Sequence, residues 1–277
     1  MSLRCGRIGY TNDLPIFAAF DAGAVQFPGT LHADVPTKLN AMLLSGELDF
    51  SPISAYAFAK NADQFVLLPD LCIGARGAVI SVVLISRTPP ELLGGATIAL
   101  TDESASAAGL LRVLLRRRFG VEASFRSTHS PLTAAHEGEP ALLIGDTAID
   151  AEFSFAREHI YDLGQLWSEW SGADSVFAVW AARKDVHAAR LAEVEACWRA
   201  LFEARGWGMG HLDRVAAAAQ QIKPRSEGFY ASYYRALNFY LDAGAERGLK
   251  AYWRELEAIG EIDCVPDFAP ENFLVAG

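Results

Sequence analysis

Apolar residues follow two rhythms along this chain. Short uninterrupted runs bounded by Gly, Pro, Asn or Ser read as buried strands, and segments with apolar positions at i, i+3 and i+4 read as helices packed by one face. Residues 4–10 give the first strand, and Thr11-Asn12-Asp13-Leu14-Pro15 turns into a helix from about Pro15. Residues 36–45, with Leu39, Met42 and Leu43 on one face, predict an amphipathic helix stopped by Gly46. A short strand at 48–50 leads through Ser51-Pro52-Ile53 into a helix for which Ser54 is a good N-cap. Runs at 65–68 and 79–86 are further strands, the second long, β-branched and continuous.

Thr88-Pro89-Pro90 followed by Gly94-Gly95 is the clearest break in composition. Beyond it a second α/β unit begins, with a strand at 97–101 and a helix from Ser104 that sets Leu110, Leu111 and Leu114 on one face. Ala141-Leu142-Leu143-Ile144 is a fully apolar strand that exits at Gly145-Asp146, with a helix expected from Thr147. A strand at 160–164, a Trp-rich turn through Trp167 and Trp170, and a strand at 176–180 complete the unit. From about Asp185 to Gly260 the chain reads as helical, broken near Gly206 and Pro224. The pattern predicts an α/β protein of two lobes. Residues 1–86 with 181–277 form lobe 1, and residues 87–180 form an inserted lobe 2. The strands at 79–86 and 176–180 serve as the two crossovers. Open α/β sheets take ligands where strand C-termini meet helix N-termini, so the expected site is a cleft between the lobes, with Gly145 on one wall.

Composition narrows the classes. With 277 residues, 51% of them hydrophobic, the chain can bury a sizeable core. No apolar run approaches the roughly 18 residues of a membrane span, and the N-terminus lacks the apolar stretch of a secretory signal, so the expected compartment is the cytoplasm and no membrane partner is implied. A net charge of −10 argues against nucleic acid. The one basic cluster, Arg112 with Arg116, Arg117 and Arg118, lies at a helix end, where cations suit the dipole. Cys5, Cys72, Cys197 and Cys264 are too dispersed for a metal or redox motif and fit reduced thiols. HExxH, GxSxG, phosphate-loop and dinucleotide-loop patterns are all missing. The six histidines are scattered, and His129 reads as a surface residue. Trp167, Trp170 and Trp180 read as core.

What remains is a set of small polar residues at strand exits. It comprises Thr11 and Asn12, Ser51 and Ser54, Ser81, Thr101, Ser104 and Ser106, and Gly145-Asp146. Hydroxyls, an amide and free helix N-terminal N–H groups bind carboxylates without a counter-charge. The plainer reading is that Ser54 and Ser104 cap helices and Asn12 shapes a turn. Asp146, an acid at a strand exit, reads either as a general acid or base or as a structural group.

Five ordered blocks resemble the chorismate dehydratase family. They are Arg7-Ile8-Gly9-Tyr10 with Asn12 and Pro15, Ser45-Gly46-Glu47-Leu48-Asp49, Leu142-Leu143-Ile144-Gly145-Asp146, Tyr161-Asp162-Leu163-Gly164 and Val176-Phe177-Ala178-Val179-Trp180. The resemblance runs from about residue 4 to residue 185 and is weaker in the helices beyond. It implies a two-lobed fold of the type II periplasmic-binding-protein kind, no metal and no organic cofactor. It also implies a lyase of the futalosine route to menaquinone whose substrate, chorismate, carries two carboxylates. Asn12, Ser81, Ser104 and Ser106 match the family's polar positions beside Ile144-Gly145-Asp146. The expected catalytic residues are therefore Asn12, Ser81 and Asp146, and the expected substrate contacts are Tyr10, Thr11, Ser51, Ser54, Thr101, Ser104, Ser106, Ile144 and Gly145. The chain departs from the family at Ala107, where a serine is expected, and at Ala173-Asp174-Ser175, which replaces a Leu-Pro-Phe run. The first removes a carboxylate donor and the second changes the site's wall.

Two rival readings stand beside this one. A 1,4-dihydroxy-6-naphthoate synthase shares the fold, but a Ser-x-Cys-Pro-Asn-Asp block and a histidine base mark that family, whereas this chain has Gly9-Tyr10-Thr11-Asn12-Asp13-Leu14. The other rival is a non-catalytic protein that binds a small anion.

Overall fold

A computed structural model describes residues 2–267. It divides into two compact α/β units: the chain up to Ile73 with Ala178–Asp242, and Gly74–Phe177 with Ala243–Val265.

In the first unit, β1 (Arg4–Ile8) is followed by a 3-10 turn at Thr11–Asp13, α1 (Leu14–Asp21), β2 (Thr30–Asp34), α2 (Pro36–Ser45), β3 (Phe50–Ser54), α3 (Ala55–Lys60) and β4 (Phe65–Ala75). In the second unit the order is β5 (Val82–Ile85), β6 (Thr97–Thr101), α4 (Ala105–Val113), β7 (Ser124–Thr128), α5 (Pro131–His136), β8 (Ala141–Ile144), α6 (Gly145–Ala151), β9 (Ile160–Asp162) and α7 (Leu163–Ser171). The chain then enters β10 (Ser175–Arg183), and α8 (Lys184–Ala189), α9 (Leu191–Gly210), α10 (Leu212–Ile222), α11 (Phe229–Ala236) and β11 (Leu237–Asn238) complete the first unit. A last helix, α12 (Ala243–Ala258), belongs to the second.

The first sheet has the order β11-β4-β10-β3-β1-β2. β1 runs parallel to β2 and β3, and β10 runs antiparallel to β3, from Ala178 beside Ser54 to Ala182 beside Phe50. Asp49 braces the start of β1. It accepts N–H bonds from the Arg4 backbone (2.9 Å) and from Arg4 Nε (3.0 Å). Behind the sheet, α1 lies against α9 so closely that a Cβ at Gly208 would fall 2.0 Å from the Pro15 carbonyl oxygen. The sequence reading placed a break near Gly206, but α9 runs on through it to Gly210.

The second sheet has the order β7-β6-β8-β5-β9. β6 is parallel to β7 and β8, while β5 is antiparallel to β8 and β9. β5 and β8 are buried at every position, which is why each reads as a continuous apolar run rather than an alternation. Val83, Ile85, Ala99, Ala141 and Leu143 pack together with Ala148 and Ala151 of α6. α12 joins this unit through Arg117–Glu255 (2.8 Å) and the Tyr252 hydroxyl, which donates to the Ser106 carbonyl (3.0 Å), and Glu261, just beyond the helix, pairs with Arg112 (3.5 Å). Arg116 pairs with Glu122 and Arg118 with Glu169, so the basic cluster is an ion-paired helix end.

The expected lobe boundaries need correction. Residues 79–86 do not cross between the units: Val82–Ile85 lies inside the second sheet, between β8 and β9. The boundaries fall instead within β4, at Ile73/Gly74, and within β10, at Phe177/Ala178. The second unit is not a simple insertion either, because it includes residues 243–265. The Trp-rich segment expected as a turn is a helix, α7, capped by Asp162 and closed by Gly172. The strand expected at 48–50 begins at Phe50 and continues through Pro52. The helix expected from Thr147 begins at Gly145. Among the described residues no helix is long and apolar enough to cross a membrane.

Two outcomes follow from this packing. Gly208→Ala should destabilise by about 3 kcal/mol in chemical denaturation, because backbone has to move. Gly206→Ala, with nothing within 4 Å of the added methyl, should stabilise, by about 0.5–1 kcal/mol for an exposed helix interior. Burial pushes the Asp49 carboxyl up, but its bonds to Arg4 outweigh that and hold it below the usual carboxylate range. A depressed folded-state value gives stability that is present above the unfolded-state value, about 3.9, and is lost as pH falls through the folded one. The difference in unfolding free energy between wild type and Asp49→Asn should therefore stay constant above about pH 5 and close below about pH 4.

Candidate functional site

In the first unit the site residues lie at the exits of β1 and β3. Beyond Ile8 the chain leaves the sheet, and Tyr10, half-buried, stands ahead of the 3-10 turn. That turn is fixed from both sides. The Tyr234 hydroxyl donates to the Thr11 carbonyl (2.9 Å), and buried Asp13 lies 4.0 Å from Arg7 Nε. Arg7 is itself held by Asp21 through two 2.7 Å bonds and sits over the Phe17 ring. Between the two anchors stands Asn12, whose Oδ1 is buried and has no hydrogen-bond partner. An unpaired buried amide oxygen costs about 1–3 kcal/mol. The fixed turn therefore holds an acceptor that no protein group engages.

Ser51 and Ser54 differ from Asn12. Ser51 is fully buried against Gly6, and its hydroxyl donates to the Pro52 carbonyl (2.8 Å). Ser54 Oγ accepts from Ala57 N–H (3.0 Å) as the cap of α3, and Ser54 N–H donates to Asn40 Oδ1 (3.0 Å). The capping expected as the plainer role for Ser54 is the one it has.

In the second unit the structure brings Ser81 and Gly145 together, since Gly145 N–H donates to the Ser81 carbonyl (2.8 Å). The β5–β8 register explains this: Val82 lies beside Ile144, so the residue entering β5 meets the residue leaving β8. Asp146 falls in the first turn of α6. At the end of β6, Thr101 Oγ1 accepts from Glu103 N–H (3.2 Å), and Ser104 Oγ caps α4 by accepting from Ala107 N–H (3.2 Å). Ala107, the position at which the resemblance predicts a serine, is fully buried.

Ser106 turns to the interior. Its hydroxyl donates to the Phe177 carbonyl (2.7 Å), and it lines a cavity of about 10 Å³ with Trp167, Ser175 and Tyr252. That volume is about the least that holds one water molecule. The Ala173-Asp174-Ser175 departure is internally bonded as well. Trp167 Nε1–H donates to the Asp174 carbonyl (3.1 Å) and Ser175 Oγ–H to the Ala75 carbonyl (3.3 Å). Trp167 and Trp180 are buried, as their core reading predicts, and His129 is exposed beside Asp102.

The sequence reading assigned no role to Asp162, and the structure gives it a central one. Its carboxylate accepts N–H bonds from Val79 (3.0 Å), Ile80 (2.6 Å) and Gln165 (2.9 Å). Burial pushes this carboxyl above the usual range, against the opposing pull of those donors. An acid followed three residues later by Gln165 ahead of an amphipathic run is a helix-start signal, which the expectation of a strand at 160–164 and a turn through Trp167 and Trp170 concealed.

The strand exits of both units thus end in small hydroxyl and amide groups, on two α/β units of the periplasmic-binding-protein kind. A Candida albicans protein described as having the generic periplasmic binding protein fold superposes with a TM-score of 0.68 at 12% identity, over 96% of this chain and 92% of that one. The chain belongs to the menaquinone biosynthesis family, whose model matches residues 3–258. It is 34% identical over 258 residues to the chorismate dehydratase of Thermus thermophilus, covering 87% of this chain and 90% of that protein. It is 29% identical over 269 residues to the 1,4-dihydroxy-6-naphthoate synthase of the same organism, covering 94% and 95%.

Tyr234→Phe tests the anchor of the Asn12 turn. Loss of one hydrogen bond to the Thr11 carbonyl should lower unfolding free energy by about 1 kcal/mol in urea titration.

Proposed function

We propose that this protein is a chorismate dehydratase, a hydro-lyase that converts chorismate to 3-[(1-carboxyvinyl)oxy]benzoate and water. The observation that carries the reading is the 34% identity to a chorismate dehydratase over 258 residues. The unpartnered Asn12 Oδ1 supports it from the structural side.

The reaction takes a proton from the ring carbon that bears the enolpyruvyl ether and hydroxide from the neighbouring carbon. The ring becomes aromatic, so the drive comes from the product, and the protein's task is to orient the substrate and polarise the leaving hydroxyl. Asn12 and Ser81 take the hydroxyl and the side-chain carboxylate. Asn12 Oδ1 accepts the hydroxyl's hydrogen and fixes its direction, while the Ser81 hydroxyl, as a donor, polarises the leaving oxygen. Ser104 and the first turn of α4 take the ring carboxylate, where the helix dipole favours an anion. Ser106 serves that end indirectly, by tying α4 to Phe177. The substrate's own enolpyruvyl carboxylate removes the proton, which ends on the departing hydroxide as water, and Asp146 is the protein group that would replace the carboxylate in this role.

Purified protein mixed with chorismate should give the ultraviolet absorbance of a new aromatic ring. It should leave the substrate of the naphthoate synthase unchanged. Asn12→Ala and Ser81→Ala should each lower kcat by about a hundredfold or more, the usual cost of removing one group aimed at developing charge. Asp146→Asn should keep turnover within a few-fold of wild type. Loss of turnover in that variant with chorismate affinity intact would move proton abstraction to Asp146.

A further inference from the structure

Ser81 sits at the end of an unusual piece of backbone. Its N–H donates to the carbonyl of Val79, two residues back, at 2.7 Å, and its hydroxyl points to the same oxygen at 3.3 Å. An i→i+2 bond closes a γ-turn, and the central residue, Ile80, has φ +67°. Positive φ is the rare, strained hand of this turn. In a β-branched residue it is a genuine outlier and persists only where the surroundings impose it.

Here the surroundings are the Asp162 carboxylate. Its two oxygens receive the N–H groups of Val79 and Ile80, the two residues ahead of Ser81, while Oδ1 also caps α7 through Gln165. The same segment fixes the approach to the turn, because a Cβ on Gly164 would fall 2.6 Å from the Gly77 carbonyl oxygen. On the other side, Gly145 N–H holds the Ser81 carbonyl. Nothing in helix capping requires a carboxylate that also reaches residues 79 and 80. A serine or threonine would cap α7 as well.

We infer that Asp162 is a positioning residue for Ser81, clamping the strained γ-turn at Ile80 so that the Ser81 side chain is presented to substrate in one orientation. The kinetic part of this inference rests on the proposed dehydratase reading; the clamp itself does not.

Asp162→Ser separates the two roles, since serine keeps the cap of α7 but is too short to hold the Val79 and Ile80 amides. In this variant kcat for chorismate should fall about a hundredfold, as expected for ångström-scale misplacement of a site group. KM should stay within about threefold, and the Tm should fall by a few degrees as two amides lose their acceptor. Amide hydrogen exchange at Ser81 should quicken by about a hundredfold as the turn opens locally. Adding Ile80→Gly, which makes positive φ strain-free, should restore about a tenfold share of the lost kcat. A merely structural role predicts the same fall in Tm with kcat per folded molecule unchanged and no rescue by glycine; that result would overturn the inference, as would Ser81 exchange equal to wild type. If Asp162→Ser fails to fold, Asp162→Asn carries the same measurements. If wild-type protein leaves chorismate unchanged, the dehydratase reading fails, and the Ser81 exchange comparison alone decides the clamp.

Discussion

A single buried carboxylate gathers backbone amides from two stretches of chain some eighty residues apart, and the local order of the second unit's site follows from that. Backbone N–H groups taken out of water must find acceptors. Those of Val79 and Ile80 have no strand partner, because the turn closed by Ser81 carries them out of the sheet before β5 begins. Asp162 supplies the acceptors and, in doing so, sets where β5 starts, where α7 starts and how Ser81 stands between them. A carboxyl group can accept several N–H bonds at once on its two oxygens, which is what holding an isoleucine at positive φ demands.

The first unit reaches a similar end by different means. Its turn at Thr11–Asp13 carries no strained residue; Tyr234 and the Arg7–Asp13 pair fix its two sides and leave the Asn12 amide between them. The candidate groups divide into those already bonded inside the protein and those left available: Ser51, Ser54, Ser81, Ser104 and Ser106 belong to the first kind, and Asn12 Oδ1 to the second. Groups fixed by neighbours before the substrate arrives lose little freedom on binding, the condition under which a few neutral dipoles act strongly on a charged substrate.

The two α/β units were legible because strands buried on both faces leave a continuous apolar signature, as at Leu142-Leu143-Ile144 and Val82-Val83-Leu84. β2 and β7 were not, because each is a largely exposed edge strand whose residues carry no apolar period. α7 was hidden by its tryptophans, which suggested a turn, although Trp167 is simply the buried position of an amphipathic helix. The site was legible as a list of polar residues at strand exits, since small polar residues beside apolar runs stand out in any sequence. Which hydroxyls are already engaged was not, because the acceptors of Ser51 and Ser106 are main-chain carbonyls, and every residue has one. Asp162 escaped for a related reason: what it binds is backbone, which leaves no mark in side-chain identity.

The path of the chain sets a condition on how this protein is made. Residues 74–177 emerge from the ribosome well before α12, yet Tyr252 and Glu255 of that helix bond to Ser106 and Arg117 of the earlier segment. The first unit waits too, because α9 covers α1 only after nearly two hundred residues are made. At a synthesis rate of about 5–20 residues per second, the second unit's helices stay without their last partner for on the order of ten seconds. Each unit is therefore completed by a helix made long after its strands, the first by α9 and the second by α12, and neither sheet is fully covered until that helix has emerged.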